Sequence, residues 1–151
     1  MEQFIRSPNF IIMQDVLKKE QQINHPINLV WNAITKAEEI SSWFIQAEFK
    51  AEVGYKYTFT HEKTTITGKV LEANPVHKLV YTWKVNGTDV DTVVSWNLSE
   101  NENGTLIQLE HSGISKYPGE SAVKMFESFS GGWDHCMTEL ENYLTKMVHA
   151  K

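Results

Sequence analysis

The chain has 151 residues, with a hydrophobic fraction of 41%, an aromatic fraction of 11% that includes five tryptophans, and a net charge of −5. That length suits one ordinary domain, able to bury about two-thirds of its unfolded surface, and so many rings exclude a disordered chain. The acidic balance, with no basic run longer than Lys18-Lys19, argues against a nucleic-acid partner. The apolar run Phe10–Met13 is too short for a membrane span or a signal-peptide core, and the single cysteine, Cys136, allows no disulfide framework. Together these features predict a cytoplasmic protein.

Residues 1–15 lack a clear period and read as an N-terminal extension to a single domain over 16–151. Val16 to Ile23 reads as extended. In "HPINLVWNAIT", Pro26 suits the first turn of a helix, capped by Asn24 or His25, and Ile27, Val30, Trp31 and Ile34 form an i, i+3, i+4, i+7 stripe. "KAEEISSWF" predicts a second short helix with Ile40, Trp43 and Phe44 on one side.

The period then changes to two. A short strand is expected in "IQAEFK", and "YKYTF" places Tyr55, Tyr57 and Phe59 on one face. "TTITGKVLEANP" reads as a strand ended by Pro75. "LVYTWKV" groups Leu79, Tyr81, Trp83 and Val85, while "TVVSWNL" groups Thr92, Val94, Trp96 and Leu98. After the turn "NENG", "TLIQLEH" aligns Thr105, Ile107, Leu109 and His111. About seven strands joined by short turns predict an antiparallel meander.

A long helix is expected over roughly 119–148, where Ala122, Phe126, Phe129, Trp133, Met137, Leu140 and Leu144 recur at three- and four-residue steps. Gly131 and Gly132 interrupt its middle, each costing roughly 1 kcal/mol relative to alanine. Either the helix bends and approaches a neighbour closely there, or it breaks. The fold class is α+β: a curved antiparallel sheet of about seven strands around a long C-terminal helix, with two short helices after the first strand.

Ile23, Pro26, Val30-Trp31 and Trp43-Phe44 in "INHPINLVWNAITKAEEISSWF", followed by "GKVLEANPVHKLVYTW", "GTLIQLEHSG" and "GGWDHCMTELENYL", carry a family likeness. Over about residues 16–147 the chain resembles the SRPBCC or START-like superfamily, in its branch of homologues of the heat-shock-chaperone ATPase activator. His25 and Asn28 depart from the small and acidic residues usual at those places. The resemblance implies a helix-grip fold with a cavity between sheet and long helix. It also implies diverse roles: ligand carriage, polyketide cyclisation or co-chaperone action.

The candidate ligand-binding residues are Trp31, Trp43, Tyr55, Tyr57, Phe59, Tyr81, Trp83, Trp96, His111, Phe126, Phe129 and Trp133. They form either an aromatic-lined pocket for an apolar small molecule or a completely filled core. His111 is either a polar handle and general base or a structural histidine at a strand end. His135 and Cys136 are adjacent on a helix and do not face each other; His135 and Glu139 make half a metal site with no second pair to complete it. No metal or cofactor is therefore expected, and no phosphate loop or serine-nucleophile motif is present. Three readings follow. The first is a module binding an apolar or amphipathic small molecule. The second is an interaction module docking a protein partner on the outer sheet face, at Lys56, Lys69, Lys84, Gln108 and Glu110. The third is a cyclase- or dehydratase-type enzyme using His111 with Tyr81 or Tyr55.

Overall fold

A computed structural model describes residues 15–149. The expected extension over residues 1–15 lies, apart from Asp15, outside the described residues. In chain order the elements are β1 (Val16–Ile23), α1 (Ile27–Thr35), α2 (Ala37–Trp43), β2 (Gln46–Glu48), β3 (Lys56–His61), β4 (Thr64–Asn74), β5 (Lys78–Val85), β6 (Thr92–Asn101) and β7 (Gly104–Ser112), then a 3-10 turn (Ile114–Lys116) and α3 (Ser121–His149). The seven strands form one antiparallel sheet in the order β1-β7-β6-β5-β4-β3-β2. Strands β2 to β7 are the expected meander. The first strand returns to close the far edge, with Val16 opposite Ser112 and Ile23 opposite Thr105.

Alternation sets the inner face of the sheet. Leu79, Tyr81 and Trp83 on β5, Thr92, Val94, Trp96 and Leu98 on β6, and Thr105, Ile107, Leu109 and His111 on β7 are all buried, while their neighbours turn outward. Two glycines mark places where the backbone admits no side chain. A Cβ on Gly68 would lie 2.0 Å from the carbonyl oxygen of Thr82, just before β4 shifts register between Val70 and Glu72. A Cβ on Gly104, at φ +124°, would lie 2.4 Å from the carbonyl oxygen of Ile23, where the chain leaves β1 for α1.

Helix α1 starts without the expected Asn24 or His25 cap. Pro26 itself occupies the cap position, with extended backbone, and its carbonyl accepts from the amides of Leu29 (3.0 Å) and Val30 (3.3 Å). The fixed φ of proline orders that first turn without a side-chain acceptor. Helix α2 is tied to α1 by the Trp43 indole, which donates to the Ala33 carbonyl at 2.8 Å.

Helix α3 runs unbroken through Gly131 and Gly132. Both glycines are exposed, and a Cβ on either would meet nothing within 4 Å. Close approach within the chain is thus not their reason. The buried stripe Ala122, Trp133, Cys136, Met137, Leu140 and Leu144 faces the sheet and short helices. Lys19 pairs with Asp134 at 2.9 Å, the Gln21 amide donates to Glu141 at 3.1 Å, and the Tyr143 hydroxyl donates to Glu39 at 3.0 Å. Partial burial, then the bond to Glu39, pushes the Tyr143 phenol up to about 12. The helix is therefore secured to β1 on one flank and to α2 near its end.

Candidate functional site

A cavity of about 680 Å³ opens between α3 and the half of the sheet farthest from β1. Ile66 on β4 with Trp83 and Val85 on β5 supplies the sheet wall, and Trp43, Phe44 and Ile45 at the end of α2 close one side. Met125, Phe129, Trp133 and Cys136 supply the helix wall. Polar groups sit at the rim: His61 and Thr64 at the two ends of the β3–β4 turn, and Ser128, His135 and Glu139 on α3. Gly132 lies on the same rim, where it adds no side chain over the opening.

Of the twelve candidate residues, Trp43, Trp83, Phe129 and Trp133 line this cavity. Phe126 lies on the other flank of α3, in a separate cleft with Asp15–Lys19 and Ser130. Tyr57, Phe59 and Tyr81 are packed away from both, around a residue the sequence reading did not single out. Phe49, just after β2, is 4% exposed and meets Tyr57, Phe59 and Tyr81 at ring-centroid distances of 5.6, 5.9 and 5.8 Å. It fills one end of the space that the curved sheet encloses. Burial pushes the Tyr57 and Tyr81 phenols up, out of any acid–base role near neutrality; the Tyr57 hydroxyl donates to the Thr82 carbonyl at 2.5 Å. Trp96 donates its indole N–H to the Tyr81 oxygen at 2.9 Å, Trp31 is buried on α1, and Tyr55 is half-buried just before β3.

His111 is fully buried, and both its ring nitrogens are engaged. The Trp133 indole can only donate, so Nδ1 of His111 is its acceptor at 3.0 Å. Nε2 therefore carries the proton and donates to the Thr92 hydroxyl at 2.7 Å, which in turn donates to the Trp83 carbonyl at 3.1 Å. Phe129 stacks on the imidazole at 4.5 Å. Burial lowers the His111 pKa to about 3, so the ring is neutral, with no free lone pair for a general base. It is not among the residues lining the cavity, nor is it bonded to Tyr81 or Tyr55.

Four indoles can be compared. Trp43, Trp96 and Trp133 each donate to a protein acceptor, whereas the buried N–H of Trp83 has no partner among the described residues. Cys136 borders the same cavity, and burial pushes its thiol pKa up, so it is an apolar wall atom rather than a nucleophile. Phe44, Ile45, His61, Thr64, Ile66, Val85, Met125 and Glu139 were not among the candidates. Phe44 was legible on the α2 stripe, and Cys136 lies beside Met137 of the α3 stripe; the β3–β4 turn residues left no signal. Among the described residues no group of three or more His, Cys, Asp and Glu side chains could hold a metal ion, and no helix is long and apolar enough to cross a membrane.

Residues 24–145 match the family described as "Activator of Hsp90 ATPase homolog 1-like protein". No curated protein matches the chain. Among solved structures, protein MLL2253 from Mesorhizobium loti superposes with a TM-score of 0.79 at 26% identity, covering 87% of this chain and 97% of that one. Protein BH1534 from Bacillus halodurans gives 0.71 at 31% identity, covering 85% and 95%. CalU16 from Micromonospora echinospora gives 0.66 at 26% identity, covering 85% and 72%. With the helix-grip arrangement, the match over most of its length, and these neighbours, the chain belongs to the Activator of Hsp90 ATPase homolog 1-like family within the SRPBCC superfamily.

Proposed function

We propose that the protein binds an apolar or amphipathic small molecule in the cavity between the sheet and α3. The observation that carries this reading is the cavity itself: about 680 Å³, walled by aromatic and aliphatic side chains, with its polar groups confined to the rim. Phe49 and its ring neighbours fill the other end of the sheet, so the space is a bounded site rather than a general looseness of the core. The alternative, a protein-interaction module, draws its support from the family description.

A thermal-shift screen against flavonoids, fatty acids, sterols and aromatic polyketides tests it. A ligand present at a hundred times its dissociation constant stabilises by about 2.7 kcal/mol, which is roughly a 5–11 °C shift for a domain of this size. Gly132→Leu is the control. It removes a helix glycine and meets no neighbour at its Cβ, yet sets a branched side chain at the mouth. The expected result is a higher melting point without ligand and a reduced ligand shift. A flat panel with a folded wild type counts against the small-molecule site and for a protein partner.

A further inference from the structure

We propose that the guest is a cationic amphiphile, with its protonated amine at the Glu139 carboxylate and its apolar body between α3 and the sheet; this rests on the small-molecule reading above and names its chemical class. Ser128, Gly132, Cys136 and Glu139 recur at three- and four-residue steps along the face of α3 that borders the cavity, and Glu139 ends that row. Glu139 is half-buried. Other acids around it are taken up: Asp134 by Lys19 at 2.9 Å, Glu141 by the Gln21 amide at 3.1 Å, and Glu39 by the Tyr143 hydroxyl at 3.0 Å. Glu139 has no ion-pair or hydrogen-bond partner among the described residues, and His135, one turn back, is not within ion-pair reach of it. A carboxylate partly withdrawn from water beside apolar walls, without a counter-charge, is unfavourable, and a cation admitted to the cavity relieves it.

The sign of the guest's charge follows from the rest of the mouth. No lysine or arginine is found among the described residues that line the cavity. His61, on the sheet side, pairs with Glu62 at 3.1 Å, and Lys63 in the same turn is exposed and is not a lining residue. Burial first, and then the carboxylates of Glu39 and Glu38, push up the phenol of Tyr143, one turn beyond Glu139, so α2 adds negative charge on that side. A carboxylate or phosphate guest would meet Glu139 with nothing to offset it, whereas an amine meets a ready partner. The aromatic and aliphatic walls carry no charge, so they suit an apolar body and leave the amine at the rim.

The test uses three probes with one tail. Decylamine, decanol and decanoic acid are cationic, neutral and anionic at neutral pH. Each is titrated, below the concentration at which it aggregates, against the fluorescent apolar dye 1-aminoanthracene bound to the full chain. The amine should displace the dye at about two- to fivefold lower concentration than the alcohol, the worth of a partly exposed ion pair, and the acid should need more than either. That lead should shrink in about 0.5 M salt. Glu139→Gln should bring the amine level with decanol, and Glu139→Lys should hand the lead to decanoic acid, a reversal that a merely structural role for Glu139 would not produce. Equal displacement by amine and alcohol in wild type, or an amine lead that survives Glu139→Gln, overturns the charge assignment, while displacement by decanol leaves the binding site standing. Failure of the dye and all three amphiphiles to bind overturns the site, and the cationic guest with it.

Discussion

At the scale of single residues, His111 makes the sharpest statement. Its side chain is neutral in the fold, held at a pKa of about 3 by burial, whereas an unfolded histidine titrates near 6.5. Below pH ~6.5 the unfolded chain takes up a proton on this residue that the folded chain refuses. Its contribution to stability is therefore fully present above that pH and is lost progressively as pH falls from ~6.5 towards about 3, amounting to about 2 kcal/mol at pH ~5. Urea denaturation at the two pH values measures it: wild type should lose more stability on acidification than His111→Gln, whatever the variant's stability at neutral pH. An identical loss in both would show that the buried imidazole is protonated in the fold. The inward position of His111 was legible from its alternation with Ile107 and Leu109. Its partners were not, because Thr92 and Trp133 come from β6 and α3 and only the sheet's curvature brings them to one ring. The same limit applies to Trp83: its burial could be read from the strand, its missing acceptor could not.

At the scale of elements, α3 is a helix whose intrinsic propensity is compromised at one place and restored by packing elsewhere. Gly131 and Gly132 are exposed and touch nothing, so alanine at either should add about 1 kcal/mol by propensity alone. A calorimetric melt of Gly131→Ala/Gly132→Ala should rise by roughly 4–8 °C, since each kcal/mol is worth ~2–4 °C in a domain of this size. A fall in melting temperature would mean that the glycines serve the helix geometry after all. A rise, with ligand binding kept by the small methyl, fits Gly132 being retained for the open mouth of the cavity. The element types were readable because each carries its own period: two in β3 to β7, three-and-four in α1 and α3. The three-residue β2 falls within the short strand expected in "IQAEFK", but it is too short to show a period that would mark Phe49, which follows it, as an inward ring. Phe49 packs on Tyr57, Phe59 and Tyr81, so alternation alone could not divide the inward rings between filled core and cavity wall, and it did not separate Phe126, which lies on the other flank of α3.

At the scale of the molecule, the sheet, the short helices and α3 enclose the site unevenly. Trp83 on the sheet wall and Trp133 on the helix wall are joined through Thr92 and His111 by bonds of 3.1, 2.7 and 3.0 Å. This chain acts as a strut across the inner end of the cavity, and it fixes the separation of the two walls there. At the opposite end no such tie to α3 is found among the described residues: His61 and Thr64 flank an exposed turn at the rim, with Glu62 in the left-handed region at φ 54°, and the Asn86 amide holds Lys63 and Thr65 to the end of β5 only. A vessel braced at its base widens only at its lip. Guests larger than the space should therefore displace the β3–β4 turn and leave the seat of α3 unchanged. Hydrogen exchange would register this as faster amide exchange near residues 61–64 as guest size increases, with no loss of protection along the buried face of the helix.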